Sequence, residues 1–242
     1  MTKKYKQSPL TEVVAEFNFI PSSQWNGTIP GLIYNDIKKE FPTIKQREGI
    51  IGIAIPTSDP TKKKIESVEL VQFWNKSETL LIQSGKDIIT INALKPYPTW
   101  EKFYPFVANA FESYRKVADP KGLSRASLRY INTIEVASKD FKFENNFQFD
   151  IPKPKNLSKG LSYFNTHIEY NLNEIDVIAI KISNAPSPKK NYKGIILEIE
   201  VIMNRFNGLP IGNLNKWLDT AHGVINETFE TSVSDTLKST YL

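Results

Sequence analysis

The 242 residues contain no cysteine, which removes disulfides, thiolate nucleophiles, iron–sulfur clusters and cysteine-based zinc sites from consideration. Such a composition fits a cytoplasmic protein. Only two histidines occur, His167 and His222, and no Gly-x-Ser-x-Gly elbow supplies a serine for either to activate, so a hydrolytic triad is not expected. The eleven glycines build neither Gly-x-Gly-x-x-Gly nor a phosphate loop ending in Gly-Lys-Ser/Thr, and nothing else in the chain implies a cofactor. No apolar run is long enough to span a bilayer. The N-terminal Met1–Lys6 is basic, but Gln7-Ser8-Pro9 opens no apolar stretch, so no signal peptide is read there.

What is present is a core. Apolar residues make up 40% of the chain and aromatics 12%, ample for a folded unit of this length. The net charge of +5 and the pI near 9.1 make the protein mildly basic. Both signs are scattered, however, so the balance speaks for solubility more than for a polyanion partner.

One order of elements occurs twice: a strand, a short helical or irregular excursion, three strands and a long amphipathic helix. The first copy runs from Ser8 to Asp119 and the second from Ser124 to Leu242, dividing the chain into pseudo-repeat halves 1–122 and 123–242 within one compact domain. Strands are read at Glu12–Ile20, Val68–Trp74, Thr79–Gln83, Asp87–Ala93, Ser127–Ala137, Ser162–Leu172, Asp176–Ser183 and Tyr192–Asn204, from two-residue alternation bounded by turn residues. Pro30–Phe41 has helical spacing. Long helices follow Thr99 and Asn213, each read as an N-cap, with Trp100, Phe103, Val107, Ala110, Tyr114 and Val117 on one stripe and Trp217, Ala221, Val224, Ile225 and Phe229 on the other. Thr43–Ser67 carries no clear pattern. The expected fold is α+β, one curved antiparallel sheet with both long helices on one face, in the manner of the TATA-box-binding protein or helix-grip topologies.

If the helices cover the Val13, Ala15, Phe17 face, the opposite face collects Glu12, Glu16, Glu69, His167, Glu169, Asn171, Glu198 and Glu200, with Arg129 and Lys181 as basic members. An acid-leaning sheet argues against nucleic acid held on it. The positive charge gathers in loops and ends instead, at Lys62, Lys63 and Lys64, at Lys153 and Lys155, at Lys189 and Lys190, and at Lys3, Lys4 and Lys6. Solvated loops are the default reading, and a nucleic-acid contact is the alternative. Glu198 and Glu200 point the same way along one strand and, with His167, could hold a metal ion, but the neighbouring positions lack the aspartate and lysine of a nuclease site. Asn132 is a polar residue on an otherwise apolar face, expected to tie a loop or helix end to the sheet.

Ser8-Pro9-Leu10-Thr11-Glu12-Val13-Val14-Ala15-Glu16-Phe17, Tyr97-Pro98-Thr99-Trp100-Glu101-Lys102-Phe103, the strand motif Leu128-Arg129-Tyr130-Ile131-Asn132 and the helix Trp217-Leu218-Asp219-Thr220-Ala221-His222 resemble a sporadically distributed, uncharacterised bacterial protein family. The resemblance spans nearly the whole chain and departs from the pattern at Thr133, where a basic residue is expected. It implies a cytoplasmic origin and the patchy distribution common among parts of antiphage defence or toxin–antitoxin systems. From the missing catalytic motifs, the acid-leaning sheet face and the exposed-looking aromatics, the expectation is a non-catalytic binding module whose partner is another protein encoded nearby, acting as an accessory, sensor or neutralising member. Candidate binding residues are Trp74, Tyr97, Arg129, Tyr130, Asn132, His167 and Glu169, of which Trp74 and Tyr97 look exposed enough to anchor an interface. An open sheet leaves edges unprotected, so a homodimer is also expected as an option. A metal-dependent enzyme built on Glu198, Glu200 and His167 is the second alternative.

Overall fold

In the computed structural model the described residues are 5, 8–21, 25–49, 55–56, 63–64, 68–152, 161–209 and 214–241. They form strands β1 (Leu10–Phe19), β2 (Thr43–Gly49), β3 (Ile55–Pro56), β4 (Lys63–Lys64), β5 (Val68–Trp74), β6 (Leu80–Gly85), β7 (Ile88–Leu94), β8 (Leu123–Ala137), β9 (Asn165–Asn171), β10 (Asp176–Ala185) and β11 (Tyr192–Leu209). The helices are α1 (Ile29–Ile37), α2 (Trp100–Ala118), α3 (Phe143–Asn146), α4 (Leu214–Ser232) and α5 (Asp235–Ser239). Nine strands make one antiparallel sheet in the order β2-β5-β6-β7-β1-β8-β11-β10-β9, and β3 and β4 pair separately. The α+β class with a large antiparallel sheet is as expected.

The chain divides into two compact units. Unit 1 comprises residues 1–14, 127–204 and 212–242, and unit 2 comprises 15–126 and 205–211.

In unit 2 the two-residue period sets the core. Phe73, Ile82 and Ile91 face one another across β5, β6 and β7, and all three are buried. Tyr34 of α1 stacks on Phe73, while Phe17 of β1 meets Phe111 of α2 edge-on at 4.9 Å. Helix α2 begins one residue after Thr99 as expected, but Thr99 makes no side-chain capping bond and its φ of 98° takes it out of capping geometry. Glu101 in the first turn and Arg115 and Lys116 in the last complement the helix dipole instead. The unpatterned Thr43–Ser67 yields β2, which pairs with β5 along its whole length. Pairing defines this strand where alternation does not.

In unit 1 helix α4 lays Leu214, Leu218, Ala221, Ile225 and Phe229 inward, against a sheet whose buried members include Leu128, Ile134, Ile178, Ile182, Leu197 and Ile199. Trp217 Nε1 donates to Asp176 Oδ1 at 3.0 Å, fixing α4 to the start of β10. Asn132 departs from expectation. Its Nδ2 donates to the Leu197 carbonyl at 3.2 Å, so it ties β8 to β11 rather than a loop or helix end to the sheet. The Asn213 N-cap position lies outside the described residues.

Two measurements follow from this packing. Asn132→Ala leaves a buried carbonyl short of a donor, and the urea midpoint should drop by an amount equivalent to about 1–3 kcal/mol. At alkaline pH, burial and the charge of Glu135 push the Tyr241 hydroxyl up to about 12 from its usual 10, and burial with the bond to Glu230 also raises Tyr5. A raised folded-state value favours the neutral phenol, so this stability is intact below pH 10 and is lost as pH rises from 10 towards 12. Melting temperature should stay level to about pH 9.5 and fall beyond pH 10, less steeply in Tyr241→Phe.

Candidate functional site

The polar side chains expected on one sheet face of unit 1 do meet there. Across β11, β10 and β9 the register sets Glu198 opposite Lys181 and Lys181 opposite His167, while the next row sets Glu200 opposite Ala179 and Ala179 opposite Glu169. Arg129 of β8 completes the first row, its Nη1 lying 3.5 Å from Glu198 Oε1. Lys181 Nζ donates to the same oxygen at 2.8 Å and lies 3.9 Å from Glu200 Oε2. The row therefore runs Arg129, Glu198, Lys181, His167. At its outer end His167 Nε2 stands 3.0 Å from Glu169 Oε1.

Within unit 1 the acid-leaning face carries part of its own counter-charge. Arg129 and Lys181 sit among Glu198, Glu200 and Glu169, so most of the negative charge is met by an adjacent cation. Register, which parity alone does not reveal, is the reason. The same geometry bears on the metal alternative: Glu198 is already shared between two cations, and Glu200 is nearly buried beside Lys181. Among the described residues no cluster of three or more acidic or histidine side chains is arranged to hold a metal ion.

Tyr130 and Asn132 face the other way. Tyr130 is buried, and its hydroxyl lies 2.5 Å from His222 Nδ1 on α4, whose Nε2 lies 3.0 Å from the Asn226 amide. Together they lock a helix onto a strand. In unit 2, Trp74 is half-buried, with Nε1 donating to Gln72 Oε1 and Lys45 Nζ 4.8 Å above its ring. Tyr97 is half-buried and meets Phe103 edge-on. Lys189 is held by Glu135 at 2.7 Å and lies over Tyr192, while Lys190 is exposed. Lys62, Lys153, Lys155, Lys3, Lys4 and Lys6 lie outside the described residues, and Lys63 and Lys64 are described only as backbone in β4.

Exposed aromatics lie elsewhere, at Tyr192 on β11 and, more strongly, at Tyr163 and Tyr170. Tyr163 is 66% and Tyr170 55% accessible, and Leu161 and Leu172 are exposed with them. All four belong to β9 or its flanks. Strand β9 is the outermost of the sheet, and its Thr166, Ile168 and Tyr170 lie on the face that carries Ile178 and Ile180 of β10. Alternation marks this strand in the sequence, but only sheet order shows that among the described residues no strand follows it. No helix of the described residues is long and apolar enough to cross a membrane. No family model and no curated protein matches this sequence.

The charge row makes a direct prediction. Lys181→Ala leaves Glu198 and Glu200 facing each other without their shared cation, at a cost of about 1–2 kcal/mol for groups this shielded. Adding Glu200→Gln to that variant should return most of the loss in a denaturation midpoint, whereas the same glutamine in the wild type should not stabilise.

Proposed function

We propose that this protein is a non-catalytic protein-binding module, an accessory, sensor or neutralising member of a bacterial multi-component system of the defence or toxin–antitoxin kind. The observation that carries the reading is the outer margin of unit 1. There, among the described residues, a seven-residue strand has a neighbour on one side only, and Leu161, Tyr163, Tyr170 and Leu172 are exposed around it. Strand addition supplies main-chain hydrogen bonds to any extended peptide, and the flanking apolar side chains select which one binds. Exposed tyrosines are the residues most often found to anchor such contacts. The engagement of Glu198 with Lys181 also favours a face that binds over one that reacts.

The same reading takes the chain as a reiterated fold, with halves 1–122 and 123–242. Counting outward from β1 the sheet reads β7, β6, β5, and from β8 it reads β11, β10, β9. Each first strand is thus followed by its last, middle and first meander strand in the same order, which is the relation a duplication of the kind in TATA-box-binding protein would leave. Strand β2 is the one addition, beyond β5.

Affinity capture from the native host tests the function. A partner should be retained in stoichiometric amount by the wild type and lost at least tenfold by Tyr163→Lys/Tyr170→Lys, with the melting temperature unchanged. Retention that ignores both tyrosines, or no retained protein at all, removes the reading.

A further inference from the structure

The main-chain groups of β9 are split by parity. Leu172 N–H donates to the Asp176 carbonyl at 2.9 Å and Asn184 N–H to the Phe164 carbonyl at 3.2 Å, two bonds of one antiparallel register. In such a ladder the bonded residues alternate, so even-numbered positions bond to β10. Asn165, His167, Glu169 and Asn171 therefore aim their N–H and C=O groups at the open edge. Seven consecutive residues pair with β10 without a bulge, and β9 contains neither lysine nor proline. Those are the devices that ordinarily keep an edge from accepting another strand. The opposite edge of the sheet, β2, carries Lys45 and Arg47.

We propose that this edge pairs with the same edge of a second copy of the chain, antiparallel and centred on Ile168. This rests on the reading of β9 as a docking site and names what docks. Outward groups meet only where odd residues oppose odd residues. Centred on Ile168, the strand Asn165-Thr166-His167-Ile168-Glu169-Tyr170-Asn171 opposes itself along its full length. His167 then faces Glu169 of the second copy, and Glu169 faces its His167. An imidazole opposite a carboxylate forms a hydrogen bond in either protonation state of the ring. Centring on His167 would oppose two imidazoles, and centring on Glu169 two carboxylates, an unfavourable like-charge pair.

The neighbouring side chains fit this register. On one face Ile168 meets its own counterpart and Thr166 meets Tyr170, which removes the half-exposed ring from water. On the other, the row Arg129, Glu198, Lys181, His167 continues into Glu169, Ala179 and Glu200 of the second copy. The basic end of one row meets the acidic end of the other. An isologous contact of this kind closes on two copies and cannot extend into a fibre.

The test uses the full chain at tens of micromolar in sedimentation equilibrium. The wild type should sediment at twice the 27.6 kDa chain mass. His167→Glu opposes two pairs of glutamates and Glu169→Lys opposes two lysine–histidine pairs; both positions are about half exposed, so folding is retained and each variant should dimerise at least tenfold more weakly. In an equal mixture the carboxylate introduced by His167→Glu opposes the ammonium introduced by Glu169→Lys. The His167 that remains in one chain then faces the Glu169 that remains in the other, and dimers should return. A monomeric wild type overturns the proposal, as does a mixture no more associated than its components. If the wild type is monomeric and Tyr163→Lys/Tyr170→Lys still releases a captured partner, self-pairing falls and the docking reading stands. If that variant releases nothing, both fall.

Discussion

An open sheet satisfies the main-chain donors and acceptors of every strand except its two outermost, and much about this protein follows from how those two are treated. Strand β2 in unit 2 is guarded. Lys45 pairs with Glu78 at 2.8 Å and lies over Trp74, so an incoming strand would have to strip water and partner from a charge. Among the described residues strand β9 in unit 1 has no comparable guard, since its one imidazole and its one carboxylate, His167 and Glu169, are mutually complementary. The unpaired groups of β9 face either water or another strand, and its sequence does not resist the second.

The polar row across β8, β11, β10 and β9 is a consequence of the same ladder. Antiparallel register brings residues of one face into direct opposition, and here the two inner oppositions of the row join unlike charges: Arg129 to Glu198 and Glu198 to Lys181. Held between two cations, Glu198 is restrained rather than reactive. The outer end of the row is the exception. His167 and Glu169 are each about half accessible, the ladder of the described residues offers them no further strand, and they answer each other along one strand instead of across two. A row that is internally compensated up to its last position concentrates its residual recognition chemistry at that position.

How far the structure is legible in the chain depends on which physical rule governs each piece. Strands β5 and β7 and helices α2 and α4 follow from alternation, helical stripes and turn residues, all of them local. Strand β2 is illegible because Thr43-Ile44-Lys45-Gln46-Arg47-Glu48-Gly49 has little apolar alternation: an edge strand is held by its neighbour. Helix α5 is not read from the sequence as a separate element, and the break before it at Val233 and Ser234 is held by tertiary contact, with Ser234 N–H bonded to the Asn146 carbonyl at 2.9 Å. Parity places Arg129, Lys181, Glu198, Glu200, His167 and Glu169 on one face. Register decides which of their charges meet, Glu198 with Arg129 and Lys181 and Glu200 with Lys181, and register is long-range information. Trp74 and Tyr97 look exposed in the sequence but are half covered by packing, with Lys45 over Trp74 and Phe103 edge-on to Tyr97, whereas sheet order leaves Tyr170 on an outermost strand.

Energetics identify which features of the margin decide binding. Main-chain hydrogen bonds formed at an edge replace hydrogen bonds to water, so each contributes only about 0.5–1.5 kcal/mol net, and bringing two proteins together costs about 4–15 kcal/mol. A ladder of unguarded backbone is thus close to break-even by itself. A tyrosine that still exposes half its surface offers on the order of 100 Å² more for burial, about 2 kcal/mol by area. Tyr163 and Tyr170 lie beside the edge, with Leu161 and Leu172. The backbone makes strand addition possible and orients it, the His167–Glu169 pair selects among registers that the backbone treats alike, and the exposed aromatics supply the surplus that turns a permitted contact into a stable one.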